Sequence, residues 1–293
     1  MIVDRAAEWW AGGSRIDGPG GHRIFVRESA RPAAADAPHL TFLHGFPTSS
    51  LDWAPMFRRL GDERRLLALD FLGFGDSDKP KPHRYSLLEQ ADAVEAAWSQ
   101  TGVRRTALVA HDYGVSVGQE LLARLDDGDL PVEITSAAFL NGGMLPAFHR
   151  ALLIQKLLAH PVAGPWLTQL TTERTFVRGL RRVIARPLAD EELHEHWLAL
   201  KNRGGRDLGH ALLAYIAERR LYAVRWEDAV KRCDVPLRFV WGPLDPVSGA
   251  HMLSELRLRR PDAAVTELAG VGHYPQLEEP DAVARELLAL PGQ

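Results

Sequence analysis

Short apolar runs alternate with amphipathic stretches along this chain. Runs of this length and composition are typical of buried strands. They lie at residues 24–26, 40–43, 66–69, 107–110, 137–140, 237–241 and 265–268. Helical periodicity appears between several of them, at residues 51–60, 87–99, 115–125 and 281–290. This alternation predicts an α/β fold, a mostly parallel sheet with helices on both faces. The early strands lack intervening helices, which favours an antiparallel edge.

The pattern changes between residues 145 and 226. Strand-like runs stop, and helical stretches at 151–158, 191–200 and 210–220 take their place. Prolines and the Gly204-Gly205 pair divide this region into short helices. We therefore predict a core domain formed by residues 1–144 and 227–293, with a helical cap domain inserted at residues 145–226.

Composition narrows the functional classes. The 293 residues are 46% hydrophobic and 25% charged, which is ordinary for a globular protein. The formal net charge of −3 provides no basic field for nucleic acid and no reason to expect an anionic membrane as a partner. The single cysteine, Cys233, excludes an intrachain disulfide. We expect a monomer or a homodimer.

The sequence shows no motif for membrane insertion, secretion, dinucleotide binding or metal binding. No run approaches the roughly 18 apolar residues that span a bilayer, and the first residues lack the plan of a signal peptide, so we expect a cytoplasmic protein. Gly73-Phe74-Gly75 has no third glycine at dinucleotide-binding spacing. His44 and His111 are not paired with cysteine or carboxylate ligands at metal spacing. We expect neither a metal nor a cofactor.

The candidate chemistry starts at Val109-Ala110-His111-Asp112-Tyr113-Gly114. A nucleophile elbow, G-x-Ser-x-G, sits at a sharp turn from a strand into a helix, and small residues at its ends let the two approach. Here Asp112 occupies the serine position. An aspartate is ionised at neutral pH, so it can attack an sp3 carbon directly and form an alkyl ester. The alternative interpretation is a carboxylate that caps the next helix.

Two later residues complete a catalytic order. Asp245 follows the predicted strand at 237–241, and His273 follows the one at 265–268. Elbow hydrolases place nucleophile, acid and histidine in this chain order, and open α/β sheets build their sites beyond the carboxyl ends of strands. Taken singly, Asp245 could be a turn aspartate and His273 a loop histidine. Three such residues in order make coincidence a poor explanation.

An oxyanion hole is predicted beside the nucleophile. The loop after the third strand supplies one N–H in this arrangement, and the residue after the nucleophile supplies the other. Phe46, in Leu43-His44-Gly45-Phe46-Pro47, and Tyr113 are the matching donors. Hydrolysis of an aspartyl ester requires them because it passes through a tetrahedral oxyanion.

The chain resembles the α/β-hydrolases of the epoxide hydrolase branch, and among them the group of mesoderm-specific transcript proteins and their bacterial relatives. The matching blocks are residues 44–53 (HGFPTSSLDW), 69–86 (LDFLGFGDSDKPKPHRYS), 110–114 (AHDYG), 140–143 (LNGG), 241–247 (WGPLDPV) and 272–280 (GHYPQLEEP). The resemblance implies Asp112 as nucleophile, His273 as base and Asp245 as its orienting acid. It implies an α/β-hydrolase fold, a small hydrophobic epoxide and water as reactants, and a Phe46-Pro47 turn beside the pocket.

The cap should supply a donor for the oxygen of an opening epoxide, and a tyrosine hydroxyl suits that role. Tyr215 resembles one of the two ring-opening tyrosines of epoxide hydrolases. A second, upstream tyrosine is missing from residues 145–213, so Tyr222, His149 or a water could assist instead. The residues expected to line the substrate pocket are His44, Pro47, Trp53, Tyr222 and Tyr274.

Two alternatives remain open. A haloalkane or haloacid dehalogenase would use the same triad, but such enzymes commonly carry tryptophan after the nucleophile, where this chain has Tyr113. Trp53, Trp166 or Trp197 could then supply the indole N–H. The other alternative is a catalytically silent hydrolase-like protein that only binds a ligand, although no triad member is missing.

Overall fold

The sheet carries the site. A computed structural model describes residues 5–29 and 38–291. Eight strands of the described chain form one sheet: β1 Ser14–Asp17, β2 Arg23–Glu28, β3 His39–Leu43, β4 Arg65–Leu69, β5 Arg105–His111, β6 Glu133–Leu140, β7 Leu237–Trp241 and β8 Ala264–Glu267. The spatial order is β1-β2-β4-β3-β5-β6-β7-β8.

The strand directions confirm the predicted sheet. From β4 to β8 all neighbours are parallel, whereas β1 and β2 form an antiparallel edge. All seven predicted strands are present. The pattern missed β1, because the sequence Ser-Arg-Ile-Asp is only partly buried at this edge and has no apolar run.

Helices cover both faces of the sheet. In the described chain they are α1 Arg5–Ala11, α2 Ala54–Leu60, α3 Leu87–Thr101, α4 Tyr113–Asp127, α5 Leu153–Leu158, α6 Ala163–Gln169, α7 Glu173–Arg181, α8 Asp190–Lys201, α9 Gly209–Leu212, α10 Tyr215–Leu221, α11 Ala223–Arg232, α12 Ala250–Arg259, α13 Pro275–Glu278 and α14 Pro280–Leu288. Short 3₁₀ helices occur at Pro19–Gly21, Ser50–Trp53 and Asn202–Leu208.

Alternate residues of the central strands bury on opposite faces. Leu108 and Ala110 of β5 pack with α3, α4 and α11 in one core cluster. Ala107 and Val109 face the other way, toward α1, α2 and α14. A strand that is buried on both sides reads as a continuous apolar run, which is why the central strands were visible in the sequence.

Seven helices, α5 to α11, and no strand lie between β6 and β7 in this fully described region. The predicted helix at 210–220 is two helices, α9 and α10, with a break at Leu213 and Ala214. The division into core and cap stays a proposal. Its boundary at residue 226 falls inside α11, which packs on α4 of the core, where Trp226 Nε1 donates to Glu120 Oε2 at 2.7 Å.

Helix α10 is tied to the core at its middle. Glu218 accepts a hydrogen bond from Ser86 Oγ at 2.5 Å and one from the Leu87 amide at 2.7 Å, at the N-terminus of α3. A carboxylate there satisfies free amides and complements the helix dipole. This anchor fixes which face of α10 is turned toward the sheet.

None of the helices within residues 5–29 and 38–291 combines the length and the apolar character needed to cross a bilayer.

Candidate active site

Several parallel strands end at the same edge of the sheet, and the candidate residues lie just beyond them. Asp112 directly follows β5, and Phe46 lies three residues after β3. Asp245 lies in the loop after β7, and His273 in the loop after β8. The structure therefore brings together the side chains that the motif order placed in one site.

The turn at Asp112 is sharp. Its φ of 43° and ψ of −99° lie outside the regions that residues with a Cβ atom favour, at a cost of about 1–3 kcal/mol. Position 114 requires glycine, because a Cβ there would lie 2.4 Å from the Leu43 carbonyl oxygen. Its amide donates to the His44 carbonyl at 2.9 Å. The elbow holds the Asp112 carboxylate at the head of α4.

One oxygen of the carboxylate already occupies the predicted oxyanion position. The Phe46 amide donates to Asp112 Oδ2 at 3.1 Å. Tyr113 begins α4, so its amide is among the first N–H groups of that helix, which lack intrahelical partners. Gly45 allows the loop to approach, because a Cβ there would lie 2.7 Å from His111 Nδ1 and 3.1 Å from Asp112 Cβ.

Asp245 is held by hydrogen bonds to both of its carboxylate oxygens. Its Oδ2 lies 2.7 Å from His273 Nδ1, which must carry the proton because a carboxylate only accepts. Oδ2 also accepts from Ser248 Oγ at 2.6 Å and from Asn141 Nδ2 at 3.1 Å, and Oδ1 accepts from the Val247 amide at 2.7 Å. Sequence reasoning missed the contributions of Asn141 and Ser248, although Asn141 directly follows β6.

A second histidine supports the loop of the first. His111 Nε2 donates to the carbonyl oxygen of His273 at 2.7 Å, and the two rings lie 5.0 Å apart. Burial and the neighbouring His273 lower the pKa of His111 to about 3, so this imidazole is neutral. It acts as a structural donor behind the elbow.

The charges of the triad reinforce one another. Burial opposes the imidazolium form of His273, yet Asp245 and Asp112 raise its pKa to about 9. Burial opposes ionisation of Asp112, but the charges of His273 and Arg219 bring its pKa below the ordinary value. The pKa of Asp245 is lowered in the same way, against burial, by His273 and by its hydrogen bonds. At neutral pH the resting site therefore holds the His273 imidazolium together with the ionised carboxylates of Asp112 and Asp245.

Arg219 is the most important residue that the sequence did not reveal. It is buried, its Nη2 donates to the main-chain carbonyl of Asp112 at 2.6 Å, and its Nε donates to Ser116 Oγ at 2.6 Å. Nη2 also lies 3.6 Å from Asp112 Oδ1. The one available signal was its position four residues after Tyr215, which places both on one face of a helix.

Tyr215 lies beside Asp112 and packs against Phe46, which lines the cavity, although Tyr215 itself is not among the lining residues. The centroid of the Tyr215 ring is 5.1 Å from that of Tyr113 and 6.0 Å from that of Phe46. The Arg219 guanidinium lies over the Tyr215 ring, 4.5 Å from its centroid. The buried hydroxyl has no hydrogen-bond partner among the residues that the structure describes. Burial and the charge of Asp112 raise its pKa, so the hydroxyl keeps its proton.

His149, the other candidate donor, also reaches this region. Both His149 and Arg219 approach Gly143, where an added Cβ would lie 3.3 Å from His149 Cδ2 and 2.6 Å from Arg219 Nη1. Burial and the charge of Arg219 lower the pKa of His149 to about 4, so its ring is neutral.

A cavity of about 330 Å³ opens above Asp112 and His273, a volume suited to a small ligand. Predicted pocket residues Pro47 and Tyr274 line it. Residues between β6 and β7 supply most of its apolar wall: Leu152, Ile154, Leu158, Leu167, Leu170, Phe176, Leu180, Val183, Leu200 and Leu212.

Three predicted pocket residues do not line this cavity. His44 is buried beneath the oxyanion loop, where its Nε2 accepts from the Phe71 amide at 3.1 Å. Trp53 packs on Phe42 in the core on the other face of the sheet. Tyr222 lies against Trp226, with ring centroids 5.3 Å apart. Their expected pocket role is corrected, because motif position alone does not tell which way a side chain is buried.

Comparison with known proteins agrees with the fold. A family model described as the alpha/beta hydrolase fold matches residues 38–280. The chain is 42% identical to a putative hydrolase, LipZ, of Mycobacterium tuberculosis, over 99% of both chains. It is 42% identical to the human mesoderm-specific transcript homolog protein, over 89% of this chain and 80% of that one. The resemblance to this group is thereby confirmed.

Solved structures show the same architecture. The haloalkane dehalogenase DbeA from Bradyrhizobium elkani matches with a TM-score of 0.79 and 26% identity, over 94% of this chain and 95% of that one.

Proposed function

We propose that this chain, which belongs to the α/β-hydrolase family, hydrolyses epoxides to vicinal diols through a covalent ester on Asp112. The observation that supports this most strongly is an ionised carboxylate at the elbow, with one oxygen bound by the Phe46 amide and the whole group facing an apolar cavity. A carboxylate attacks strained or activated carbon, whereas ordinary ester hydrolysis at this position uses serine.

The first step alkylates Asp112. Oδ1, the oxygen that Phe46 does not bind, attacks one ring carbon, and the bond from that carbon to the epoxide oxygen breaks. The alkoxide takes a proton from the Tyr215 hydroxyl, which is buried, protonated and otherwise unpartnered among the described residues. The proton of the His273 imidazolium restores that hydroxyl, leaving a neutral histidine and a hydroxyalkyl ester.

Ester formation itself prepares the base for the second step. Part of the raised pKa of His273 comes from the negative charge of Asp112, and esterification removes that charge. The pKa of His273 then falls, and its Nε2 becomes able to accept a proton from water. Asp245 keeps Nδ1 protonated and the ring oriented through the 2.7 Å hydrogen bond.

Hydrolysis returns the site to its resting state. Hydroxide attacks the carboxyl carbon of Asp112, and the Phe46 and Tyr113 amides receive the oxyanion. The ester C–O bond breaks, and the proton of the added hydroxyl passes to the departing diol oxygen. Asp112 is again ionised and His273 again protonated, so one epoxide and one water give one diol.

The test is diol formation from a panel of aryl and alkyl epoxides, with halide release from bromoalkanes assayed in parallel. Wild type should produce diol, and Asp112→Ala should produce none. Asp126→Ala, at an exposed aspartate near the end of α4, is the matched control and should retain activity. Absence of diol across the panel would count against the proposal.

Halide release without diol would instead favour a dehalogenase, the reaction named for the similar structure of DbeA. Two observations weigh against this alternative. Tyr113 follows the nucleophile, and no tryptophan lines the cavity of the described chain. Trp53 lies in the other core, Trp197 packs on Phe176, and Trp166 faces outward.

A silent binding protein remains the other alternative. It would give neither product, and a ligand would only raise the thermal stability of the protein. The charged groups weigh against it, because His273 is hydrogen-bonded to Asp245 and Asp112 is held by the Phe46 amide.

A further inference from the structure

An exposed apolar surface lies on the outside of the cap, which we call the cap patch. It comprises large apolar side chains of α5, α6 and their flanks that are 44% to 77% exposed: Leu153, Ile154, Leu157, Val162, Trp166 and Leu170. Elsewhere in the described chain, exposed large apolar residues are fewer and lie on other elements, at Leu221, Val224, Leu244 and Leu258. A contiguous exposed patch of this kind marks an interaction surface.

The cap patch continues into the cavity. Ile154 and Leu170 are exposed on the outer surface and also line the cavity above Asp112. Leu158 and Leu167, on the same two helices, form the adjoining inner wall. An apolar molecule could therefore pass from the outer surface to the nucleophile without leaving an apolar environment.

The segment that carries the cap patch contains more basic than acidic residues, although the whole chain is negative. Residues 145–189 contain one acidic residue, Glu173, and seven basic residues: Arg150, Lys156, Arg174, Arg178, Arg181, Arg182 and Arg186. Arg181 and Arg186 pair with Asp190 and Glu279. The other five are exposed, and no ion pair joins them to any described residue. The overall charge of −3 concealed this local excess.

We propose that the cap patch, together with the five unpaired basic residues of the same segment, docks on an anionic phospholipid surface, with the cavity mouth facing the lipid. Apolar side chains enter the boundary between headgroups and acyl chains, while neighbouring Lys and Arg bind anionic headgroups. A second copy of this chain fits less well, because a twofold contact would bring the unpaired cations together. Docking of this kind concerns a surface apart from the catalytic residues and holds whichever bond the enzyme hydrolyses.

Docking would also define the substrate class. Molecules delivered from a bilayer are long-chain, weakly soluble lipids, and the cap wall of leucines, isoleucine and phenylalanine suits an acyl chain. Under the proposed function, this class is epoxides of unsaturated acyl chains; this extension rests on that function, and the docking itself does not.

Vesicle co-sedimentation tests the docking. The whole protein should bind phosphatidylcholine vesicles that contain phosphatidylglycerol, bind weakly to pure phosphatidylcholine, and dissociate as salt is raised. Arg174→Gln and Arg178→Gln should each weaken binding by about fivefold. The double variant Leu153→Ser with Trp166→Ser should abolish it. Arg104→Gln and Leu258→Ser alter exposed residues outside the cap and should bind like wild type.

Trp166 provides a direct reading of the contact. Of the eight tryptophans, all of which lie in the described chain, Trp166 alone is largely exposed, at 77%. Vesicles of brominated phospholipid should quench its fluorescence, and Trp166→Phe should lose this quenching while still binding.

Three results would overturn the docking: no binding to either kind of vesicle, binding that the cap-patch double variant leaves unchanged, or a concentration-dependent dimer of the lipid-free protein that this variant abolishes. The last would assign the patch to a second copy. None of these readouts measures turnover, so failure of the epoxide proposal and failure of the docking are distinguishable.

Discussion

The Arg219 guanidinium donates to the main-chain carbonyl of Asp112 at 2.6 Å and lies 3.6 Å from the side-chain oxygen Oδ1 of the same residue. One cap side chain thus contacts both the strained backbone and the reactive charge of the proposed nucleophile. Because Glu218 anchors the same helix to α3, the position of Arg219 is set by the core as well as by the cap.

Arg219→Met should lower kcat by about a hundredfold, the magnitude typical of losing one preorganised donor. It should also raise the pKa of Asp112, because the charge of Arg219 helps to lower it. The acidic limb of the activity profile would then move to higher pH. Arg219→Lys should keep that limb near its original pH while kcat falls, since lysine retains the charge but not the fork of donors.

The exposed neighbour supplies the control. Arg220→Met should leave both kcat and the pH profile unchanged. An unshifted acidic limb in Arg219→Met would limit Arg219 to a structural role.

Tyr215→Phe separates the two candidate reactions. Losing the hydroxyl should slow epoxide opening by about 10²–10⁴-fold, because general acid catalysis contributes that much. Halide needs no proton to leave, so any halide release should be unaffected. Tyr222→Phe is the matched control, since this ring packs on Trp226 and not, as Tyr215 does, on the ring of Tyr113 next to Asp112. Equal losses in both tyrosine variants would contradict the assignment of Tyr215.

The raised pKa of His273 makes stability depend on pH. The folded value of about 9 exceeds the ordinary 6.5, so the ion pairs of His273 stabilise the fold fully below pH 6.5 and lose their effect as pH rises through 9. The shift corresponds to about 3 kcal/mol across that window.

Urea unfolding of wild type and His273→Gln on either side of the window should show their difference in stability shrinking toward high pH. A difference that does not change with pH would show that His273 is not held as a cation. His160→Gln, at an exposed histidine of the cap, should show no such trend.

Much of the fold could be predicted, and the reason is geometric. Central strands are buried on both faces, so β5 and β7 appear as apolar runs, and residues that follow parallel strands must meet at one sheet edge. That logic placed Asp112, Asp245 and His273 together. It could not detect β1 or α1, whose partly exposed positions carry charged residues.

The environment of the site was harder to predict because it depends on burial of individual side chains. Arg219 stands in a run of Glu-Arg-Arg that is typical of an exposed helix, yet it is buried against Asp112. Trp53 stands near the oxyanion motif, yet it is buried on the opposite side of the sheet. Only tertiary packing distinguishes such cases.

The most direct test of the central claim is the intact mass of His273→Gln after incubation with an epoxide that the wild type converts. Without its base, the variant should alkylate and then stall, so its mass should rise by the full mass of the epoxide. Peptide mapping should locate the addition at Asp112. A variant of unchanged mass, or an addition at another residue, would contradict the covalent mechanism.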